Sequence, residues 1–314
     1  MIQENAILNE LSSFREQLHS NKALYQPYLR LSVWQPIRDI AMDWIAILLS
    51  VTAVQWIGWW SAPIFITLIG NRQRALGNIL HDAGHRNLHR VASINDHLTN
   101  LLVAPLLFVC LKTYRTTHFL HHLHLGDPEK DPDYLAPPAS VHASWVRNFA
   151  MHAFSFRAWW GSLAGHLGAG MPIGSVLYVV SWWVLFCSVM SALFGPAFTV
   201  LFLALWLIAR ATTFHLITVF REMCDHYGLK PQGVIPFTRD IVQHNLWSVL
   251  FHPRNNGYHL THHLLPATPY YNLPDVQRLV SAMPMYQAFD NVFSSYTAGT
   301  KPVATGWTVK ASES

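Results

Sequence analysis

The sequence predicts an all-α membrane protein in which four transmembrane helices form two hairpins. Of the 314 residues, 51% are hydrophobic and only 12% are charged, and the mean hydropathy is +0.20. This composition is too apolar and too poor in charge for an ordinary soluble protein of this length. Two long segments carry no Asp, Glu, Lys or Arg: one lies between Asp43 and Arg72, and the other runs from Ala158 to Ala209.

A turn interrupts each uncharged segment, so each segment is expected to fold as a helical hairpin. Ser61-Ala62-Pro63 marks the first turn and Gly195-Pro196 marks the second. A spanning helix needs about 20 residues. We therefore expect helices near residues 40–60, 62–82, 174–194 and 197–221, and we expect the second and fourth to continue beyond the hydrocarbon layer.

The distribution of positive charge predicts the orientation. Neither turn contains Lys or Arg, whereas the first 40 residues, the middle segment and the C-terminal third hold nearly all of the positive charge. The positive-inside rule then places both termini, and the histidine clusters described next, on the cytosolic side. The net charge of +4 and the pI near 9.0 come without a dense basic run. This favours contact with anionic lipid headgroups and argues against nucleic-acid binding.

Eight histidines fall into three tight clusters, with the sequences HDAGH, HFLHH and HLTHH. On a helix, residues three and four apart share a face, so each cluster presents two or three imidazoles side by side. Eight such ligands exceed what one metal ion can use, so the clusters predict a site for more than one ion. The predicted ligands are His81, His85, His118, His121, His122, His259, His262 and His263.

His226 is the predicted ninth ligand. The fourth predicted helix ends in REMCDHYG. His226 therefore occupies the same place on the second hairpin as the first cluster occupies on the first hairpin. Nine neutral imidazoles would hold two transition-metal ions and leave a position open for oxygen or water. Open, imidazole-rich coordination suits iron better than structural zinc. The expected chemistry is oxygen-dependent attack on an unactivated C–H bond of an apolar substrate, and His89 is the runner-up ligand.

Acidic residues near the clusters are candidates for orienting the ligands. Metal-bound histidines usually donate their other ring N–H to such groups, which selects Asp82, Glu222 and Asp225. Glu222 is four residues before His226 and shares its helix face, so direct approach to an iron is an alternative role. The acidic run from Asp127 to Asp133 is expected to form a loop, with solvated surface as the competing interpretation.

The three clusters resemble the histidine boxes of the membrane fatty acid desaturase superfamily, H-x(3–4)-H followed by two copies of H-x(2–3)-H-H. The run DPEKDPD after the second box and NNGYHLTHHLLPATPYYNLP around the third are also similar to that superfamily. The resemblance covers about residues 40–285. It implies four membrane helices, a cytosolic helical cap that carries the boxes, and a non-haem di-iron centre that uses O2 and two electrons.

The resemblance also implies a division of the chain. Residues 1–39 are expected to form a cytosolic N-terminal segment, 40–285 a desaturase-like membrane domain and 286–314 a cytosolic tail. From Ser294 onward the chain is rich in Ser, Thr, Ala and Gly and is expected to be loosely held.

Three features depart from subgroups of the superfamily. Stearoyl-type desaturases have an asparagine four residues before the isolated histidine, where this chain has Glu222. The third box begins with His259 rather than the glutamine of front-end desaturases, and the H-P-G-G haem motif is missing. No fused cytochrome b5 is therefore expected, and a separate ferredoxin with its reductase, or a free cytochrome b5, is the expected electron donor.

Desaturation of an acyl chain, carried as a fatty acid, a thioester or a lipid, is the preferred function. The same boxes also serve hydroxylases, ketolases and desaturases of small amino-acid-derived intermediates, and the motifs do not separate these. The alternative from another class is a non-enzymatic membrane metal-binding protein or transporter. A transporter should spread ionisable residues through its spans, whereas here the clusters lie at one end of nearly uncharged spans.

Overall fold

The computed structural model describes residues 2–19, 22–136, 144–165, 167 and 171–308. Within these ranges the chain is mostly helical, as the sequence predicts, with two short strands. The helices are α1 (Ile2–His19), α2 (Lys22–Tyr25), α3 (Trp34–Ile57), α4 (Ala62–Gly84), α5 (Ala92–Leu102), α6 (Leu111–Leu123), α7 (Trp145–Ala153), α8 (Phe156–Ala164), α9 (Ile173–Phe194), α10 (Pro196–Ala209), α11 (His215–Asp225), α12 (Val234–Phe237), α13 (Leu246–Phe251), α14 (His259–Leu264), α15 (Leu273–Val280) and α16 (Pro284–Gln287), and the strands are β1 (Asp240–Ile241) and β2 (Val292–Phe293).

The chain divides into two compact units, each built from separate stretches of sequence. Unit 1 comprises Met1–Leu31, Thr116–His152 and Phe220–Ser314. Unit 2 comprises Ser32–Arg115 and Ala153–Val219.

Three helices in the described part of the chain are long and apolar enough to cross a membrane, which supports membrane association. They are Trp34–Ile57, Ile173–Phe194 and Pro196–Asp225. The third consists of α10, a π-helical turn from Arg210 to Phe214, and α11. Helix α4 occupies the position of the second predicted span but is not among the three, because the polar run NRQR lies in its middle.

Polar residues of α4 are paired with neighbouring helices of unit 2. Arg72 Nη1 lies 3.0 Å from Oδ1 of the buried Asp43 on α3. Gln73 Nε2 donates to the carbonyl oxygen of Trp206 on α10, at 2.9 Å. Such pairing satisfies groups that would be costly to bury alone.

A close approach between α4 and the π-helical turn depends on Gly70. Thr213 Oγ1 donates to the carbonyl oxygen of Ile66 at 3.0 Å. A Cβ atom on Gly70 would lie 2.7 Å from the backbone nitrogen of Phe214 and would also collide with the side chain of Thr213. Only glycine therefore fits at this crossing without a shift of backbone.

Aromatic side chains of the candidate membrane-spanning helices α3 and α9 bond to the end of α5. The last carbonyl groups of a helix have no partner within it and must find one elsewhere. Here Tyr178, Trp182 and Trp44 donate to the carbonyl oxygens of Asn100, Leu101 and Leu102, at 2.6, 2.9 and 3.0 Å respectively.

Unit 1 has an apolar core that holds the third histidine box in place. Buried side chains of α1 pack in the same cluster as those of α14 and α15. Strand β1 pairs in parallel with β2, so that Asp240 lies opposite Val292. The core includes Phe14, Leu260, Leu264, Val276 and Val280.

The expectation of a loosely held C-terminal segment is wrong for its described part. Trp307 is fully buried, and Asn148 Nδ2 donates to the carbonyl oxygen of Trp307 at 2.7 Å. Buried aromatic area outweighs the small, polar composition that suggested a tail. Residues 309–314 lie outside the described part.

The substitution Gly70→Ala is expected to destabilise the protein by about 1–3 kcal/mol, because the added methyl group overpacks the contact with the π-helical turn. Thermal unfolding of the purified protein in detergent would measure this. Gly161→Ala is the matched control, since a Cβ at Gly161 meets nothing within 4 Å. Equal unfolding temperatures for the two variants would show that the crossing does not require glycine.

Candidate metal centre

Both H-x-x-H-H boxes lie on helices, the second box in α6 and the third in α14. His259, His262 and His263 are all buried, and so are His118 and His121. The helical spacing that the sequence predicts is therefore present for both boxes.

The first group of converging nitrogens combines two residues of the second box with one of the third. The Nε2 atoms of His118 and His122 are 3.1 Å apart. His262 Nε2 lies 3.3 Å from His122 Nε2. These ligand atoms all lie within 4.8 Å of one another.

The second group contains one residue of the second box, two of the third box and the isolated histidine. His226 Nε2 lies 3.0 Å from His259 Nε2, which in turn lies 3.1 Å from His263 Nε2. With His121, their ligand atoms also lie within 4.8 Å of one another. The predicted ninth ligand thus lies with box residues within unit 1.

The distances between these nitrogens fit ligands of a single ion in each group. Two nitrogens bound to one metal at about 2.1 Å are about 3.0 Å apart at a right angle and about 3.4 Å apart at the tetrahedral angle. The separations of 3.0–3.3 Å fall in this interval. Three or four imidazoles whose ring nitrogens lie this close together are a metal-ligand arrangement.

Contacts on the opposite ring nitrogen fix the orientation of two ligands. His226 Nδ1 donates to the carbonyl oxygen of Phe237 at 2.9 Å. His121 Nδ1 lies 2.8 Å from Asp131 Oδ1, and both side chains are buried. A ring that carries its hydrogen on Nδ1 leaves the lone pair of Nε2 for a metal.

Burial favours the neutral form of two ligand rings in unit 1. Burial, helped by the nearby His121, lowers the pKa of His226 to about 4. Burial lowers the pKa of His263 well below its usual value. His121 differs: burial is the largest single effect and opposes its protonation, but the hydrogen bond to Asp131 and the charges of Asp133 and Asp131 together outweigh it and raise the pKa of His121. Neutral imidazole is the form that binds metal.

The predicted acidic neighbours lie in different surroundings. Asp225 Oδ2 is 3.7 Å from His259 Nε2 and 3.1 Å from Arg221 Nη1. Glu222 is partly exposed, with Oε1 4.0 Å from Arg221 Nη2, and it belongs to neither group. Asp82 is buried within unit 2.

The first box lies in unit 2, at the end of α4. The rings of His81 and His85 have centroids 5.5 Å apart. Burial, with the charge of Arg115, lowers the pKa of His85 to about 4. The runner-up ligand His89 accepts a hydrogen bond at Nδ1 from the backbone of Val91, at 3.0 Å, and belongs to neither metal-type group.

Two buried aspartates that support the boxes are not among the acidic residues selected from the sequence. Asp131 belongs to the run expected to be a loop, yet its Oδ2 accepts from the backbone nitrogen of Gly126 at 2.8 Å while Oδ1 faces His121. Asp240 accepts from the backbone nitrogen of Thr261 at 3.0 Å and from its hydroxyl at 2.6 Å. The acidic run DPEKDPD, which follows the second box in the sequence, is the signal that could have pointed to Asp131. Nothing in the local sequence connects position 240 to the third box.

A sequence model described as fatty acid desaturase matches residues 17–294. The chain belongs to the fatty acid desaturase family. It is 28% identical over 265 residues to dihydrorhizobitoxine desaturase of Bradyrhizobium elkanii, an alignment that covers 79% of this chain and 75% of that protein. It is 31% identical over 134 residues to sn-1 oleoyl-lipid 12-desaturase of Anabaena variabilis, covering 39% of this chain and 38% of that protein.

Family membership confirms the resemblance and the enzyme class predicted from the histidine boxes. Both relatives are named as desaturases, so the chain is an oxidoreductase of the desaturase family. Its histidine groups could hold metal ions, as that family requires.

The substitution Asp131→Asn is expected to weaken metal binding about 10–100-fold. Both oxygens of Asp131 accept N–H groups, from His121 and Asp133 on one side and from Gly126 on the other. An asparagine has only one acceptor oxygen, so its NH2 group would face a donor. Retention of iron during dialysis against graded chelator concentrations would measure the loss.

Asp127→Asn is the matched control in the same loop. Asp127 uses a single oxygen to accept the backbone N–H groups of Glu129 and Lys130, at 2.9 and 3.1 Å. Asparagine can keep both bonds. Equal iron retention in the two variants would show that Asp131 does not stabilise metal binding.

Proposed function

We propose that the protein is an O2-dependent desaturase with two iron ions, and that it introduces a carbon–carbon double bond into an acyl chain. The observation that carries the proposal is the division of seven histidines of unit 1 into two groups of converging ring nitrogens. Each group suits one ion.

The ligand sets of the two ions differ in size. For one ion the proposed ligands are His121, His226, His259 and His263. For the other they are His118, His122 and His262, to which the sequence adds His81 and His85 of the first box. Four or five imidazoles with open positions favour iron. Bound iron would supply activation of O2 for removal of hydrogen from an unactivated C–H bond.

The side chains of the protein hold the ligands and keep water out. Asp131 and the carbonyl oxygen of Phe237 fix the rings of His121 and His226. Asp82, Glu222 and Asp225 are proposed to orient further ligands. Burial of the box histidines limits access of solvent to the reacting site.

The proposed reaction converts CH2–CH2 to CH=CH. One O2 accepts two hydrogens from the substrate together with two electrons and two protons, and two waters form. The electrons come from a separate donor, either a ferredoxin with its reductase or a free cytochrome b5. Hydroxylation or ketone formation on the same two irons is the rival outcome.

The relatives support two classes of substrate. The oleoyl-lipid desaturase and the three apolar helices favour an acyl chain that enters from the membrane. Alignment over 79% of this chain with dihydrorhizobitoxine desaturase favours a small molecule as the second candidate.

We also propose that the chain has four membrane spans and that both termini are cytosolic. In this proposal α4 is a span in addition to the three candidate helices. Single cysteines in place of Trp60 and Leu193, which are 76% and 69% exposed, should react with a membrane-impermeant thiol reagent added from outside. A background without Cys110, Cys187 and Cys224 is needed. A cysteine at the exposed Glu129 should stay unlabelled, and labelling there from outside would overturn the orientation.

The reaction is tested by expression in a host that supplies a compatible reductase, with mass spectrometry of lipids and soluble metabolites. A product lighter by two hydrogens is expected in cells with the wild-type chain and not with His121→Ala. Incorporation of one oxygen atom from labelled O2 into the product would show that the reaction is hydroxylation and not desaturation. A product in the lipid fraction would identify an acyl chain as the substrate, and a product among the soluble metabolites would identify a small molecule.

Iron analysis of the same purified proteins is the accompanying control. Two irons per wild-type chain are expected, and fewer in His121→Ala. One ion per active chain would contradict the two-iron centre. Full iron loading with a working donor, yet no O2-dependent product in either fraction, would contradict the desaturase proposal.

A further inference from the structure

A short segment of unit 1, residues 237–240, contacts both the end of α11 and the start of α14. His226 follows α11 directly, and α14 carries the third histidine box. Within this segment Arg239 bonds to the ends of both helices, through its side chain and its backbone.

The backbone bonds at the end of α11 are long. The backbone nitrogen of His226 lies 3.4 Å from the carbonyl oxygen of Glu222, and that of Tyr227 lies 3.3 Å from the carbonyl oxygen of Met223. An ordinary N–H···O bond measures about 2.9–3.0 Å. The position of His226 therefore depends on contacts from outside the helix.

Arg239 supplies such contacts at the carbonyl end of α11. Its Nη2 donates to the carbonyl oxygen of Tyr227 at 2.8 Å, and its backbone nitrogen donates to that of Asp225 at 3.1 Å. Nη1 lies 3.4 Å from two further carbonyl oxygens of the last turn. The carbonyl groups at a helix end carry partial negative charge, which a cation complements. Arg239 thus bonds to the residues on both sides of His226.

The guanidinium group of Arg239 is charged and closely confined. The residue is only 1% exposed. Burial lowers its pKa to about 10, which leaves it charged at neutral pH. Its Cζ lies 5.6 Å from the centre of the Phe293 ring on β2. Gly306 also borders it, since a Cβ there would lie 2.9 Å from Nη2.

The backbone of Arg239 also holds the start of α14. Its carbonyl oxygen accepts from the backbone nitrogen of Leu260 at 3.0 Å. This N–H lies in the first turn of α14, where no helical acceptor is available. Leu260 follows His259, whose Nε2 lies 3.0 Å from His226 Nε2. One residue thus holds the two helix ends whose ligand nitrogens face each other.

We propose that Arg239 is a positioning residue for the second histidine group: it holds His226 against His259 and so sets the affinity for one of the two irons. None of the described ligands of the first group lies on α11, so the other iron depends less on Arg239. The proposal rests on the two-iron centre of the proposed function and names a residue that assembles half of it.

The variant Arg239→Ala, made in the iron-loaded full chain, tests the proposal. Half of the iron should be lost at an about tenfold lower chelator concentration than in wild type, while the other half is retained. Millimolar guanidinium chloride should restore retention, because the free cation can fill the space that the side chain leaves. Equimolar urea, which is planar but uncharged, should not.

Arg278→Ala is the matched control, since Arg278 lies on α15 of the same unit with its side chain 73% exposed. It should retain both irons as wild type does. Mössbauer spectroscopy supplies a readout that a general loss of stability does not change. In Arg239→Ala the signal of half of the iron should differ from wild type before any iron is removed.

Gly306→Ala displaces the guanidinium group without removing its charge, and it decides the question if Arg239→Ala does not fold. It should weaken retention of the same half of the iron by a smaller factor than Arg239→Ala. Gly161→Ala, whose added methyl group meets nothing within 4 Å, should leave retention unchanged.

Three outcomes would contradict the role of Arg239 while leaving the two-iron centre intact. They are simultaneous loss of both irons from Arg239→Ala, restoration by urea as effective as by guanidinium, and equal iron retention in Gly306→Ala and Gly161→Ala. A single iron in the active wild-type chain would instead contradict the proposed function itself.

Discussion

The constraint on which unit 1 depends is the convergence of imidazole nitrogens in a buried space. Nε2 atoms that face one another at 3.0–3.3 Å cannot each carry a hydrogen, and their lone pairs repel without a shared cation. Water cannot solvate them, because most of these rings are buried. The chain must therefore hold each ring from behind, and Asp131 and the carbonyl oxygen of Phe237 do this for His121 and His226.

The H-x-x-H-H spacing explains how two boxes serve two ions. In the second box His118 and His122, one turn apart, belong to the first group, while His121 belongs to the other. The third box reverses this division: His259 and His263 belong to the second group and His262 to the first. Each helix thus contributes a pair to one ion and a single ligand to the other, so the two ligand groups cannot form independently.

Periodicity made the box helices, the predicted ligands and the apolar spans accessible from the sequence, because all three are local features. Supporting contacts are not local. Asp240 holds the third box through Thr261, twenty-one residues later, and its position in the sequence carries no pattern. Only the structure shows that Trp182 bonds to the end of α5. Buried Trp307 escaped prediction because one large side chain outweighs the small residues around it.

Hydropathy identifies lipid-facing helices better than helices surrounded by protein, and α4 illustrates the difference. Only 11% of the most apolar window of the candidate span Ile173–Phe194 is buried, so packing within the protein does not account for its apolar composition. From Ile69 to Gly84, α4 is almost entirely buried, and it tolerates Arg72 and Gln73 because Asp43 and the carbonyl oxygen of Trp206 pair with them. Polar residues inside a membrane protein are retained where a partner is supplied. A helix of this kind is recognised by the partners of its polar side chains and not by its hydropathy. Helix α4 falls short of the hydropathy expected of a span, yet it carries the first histidine box at its end.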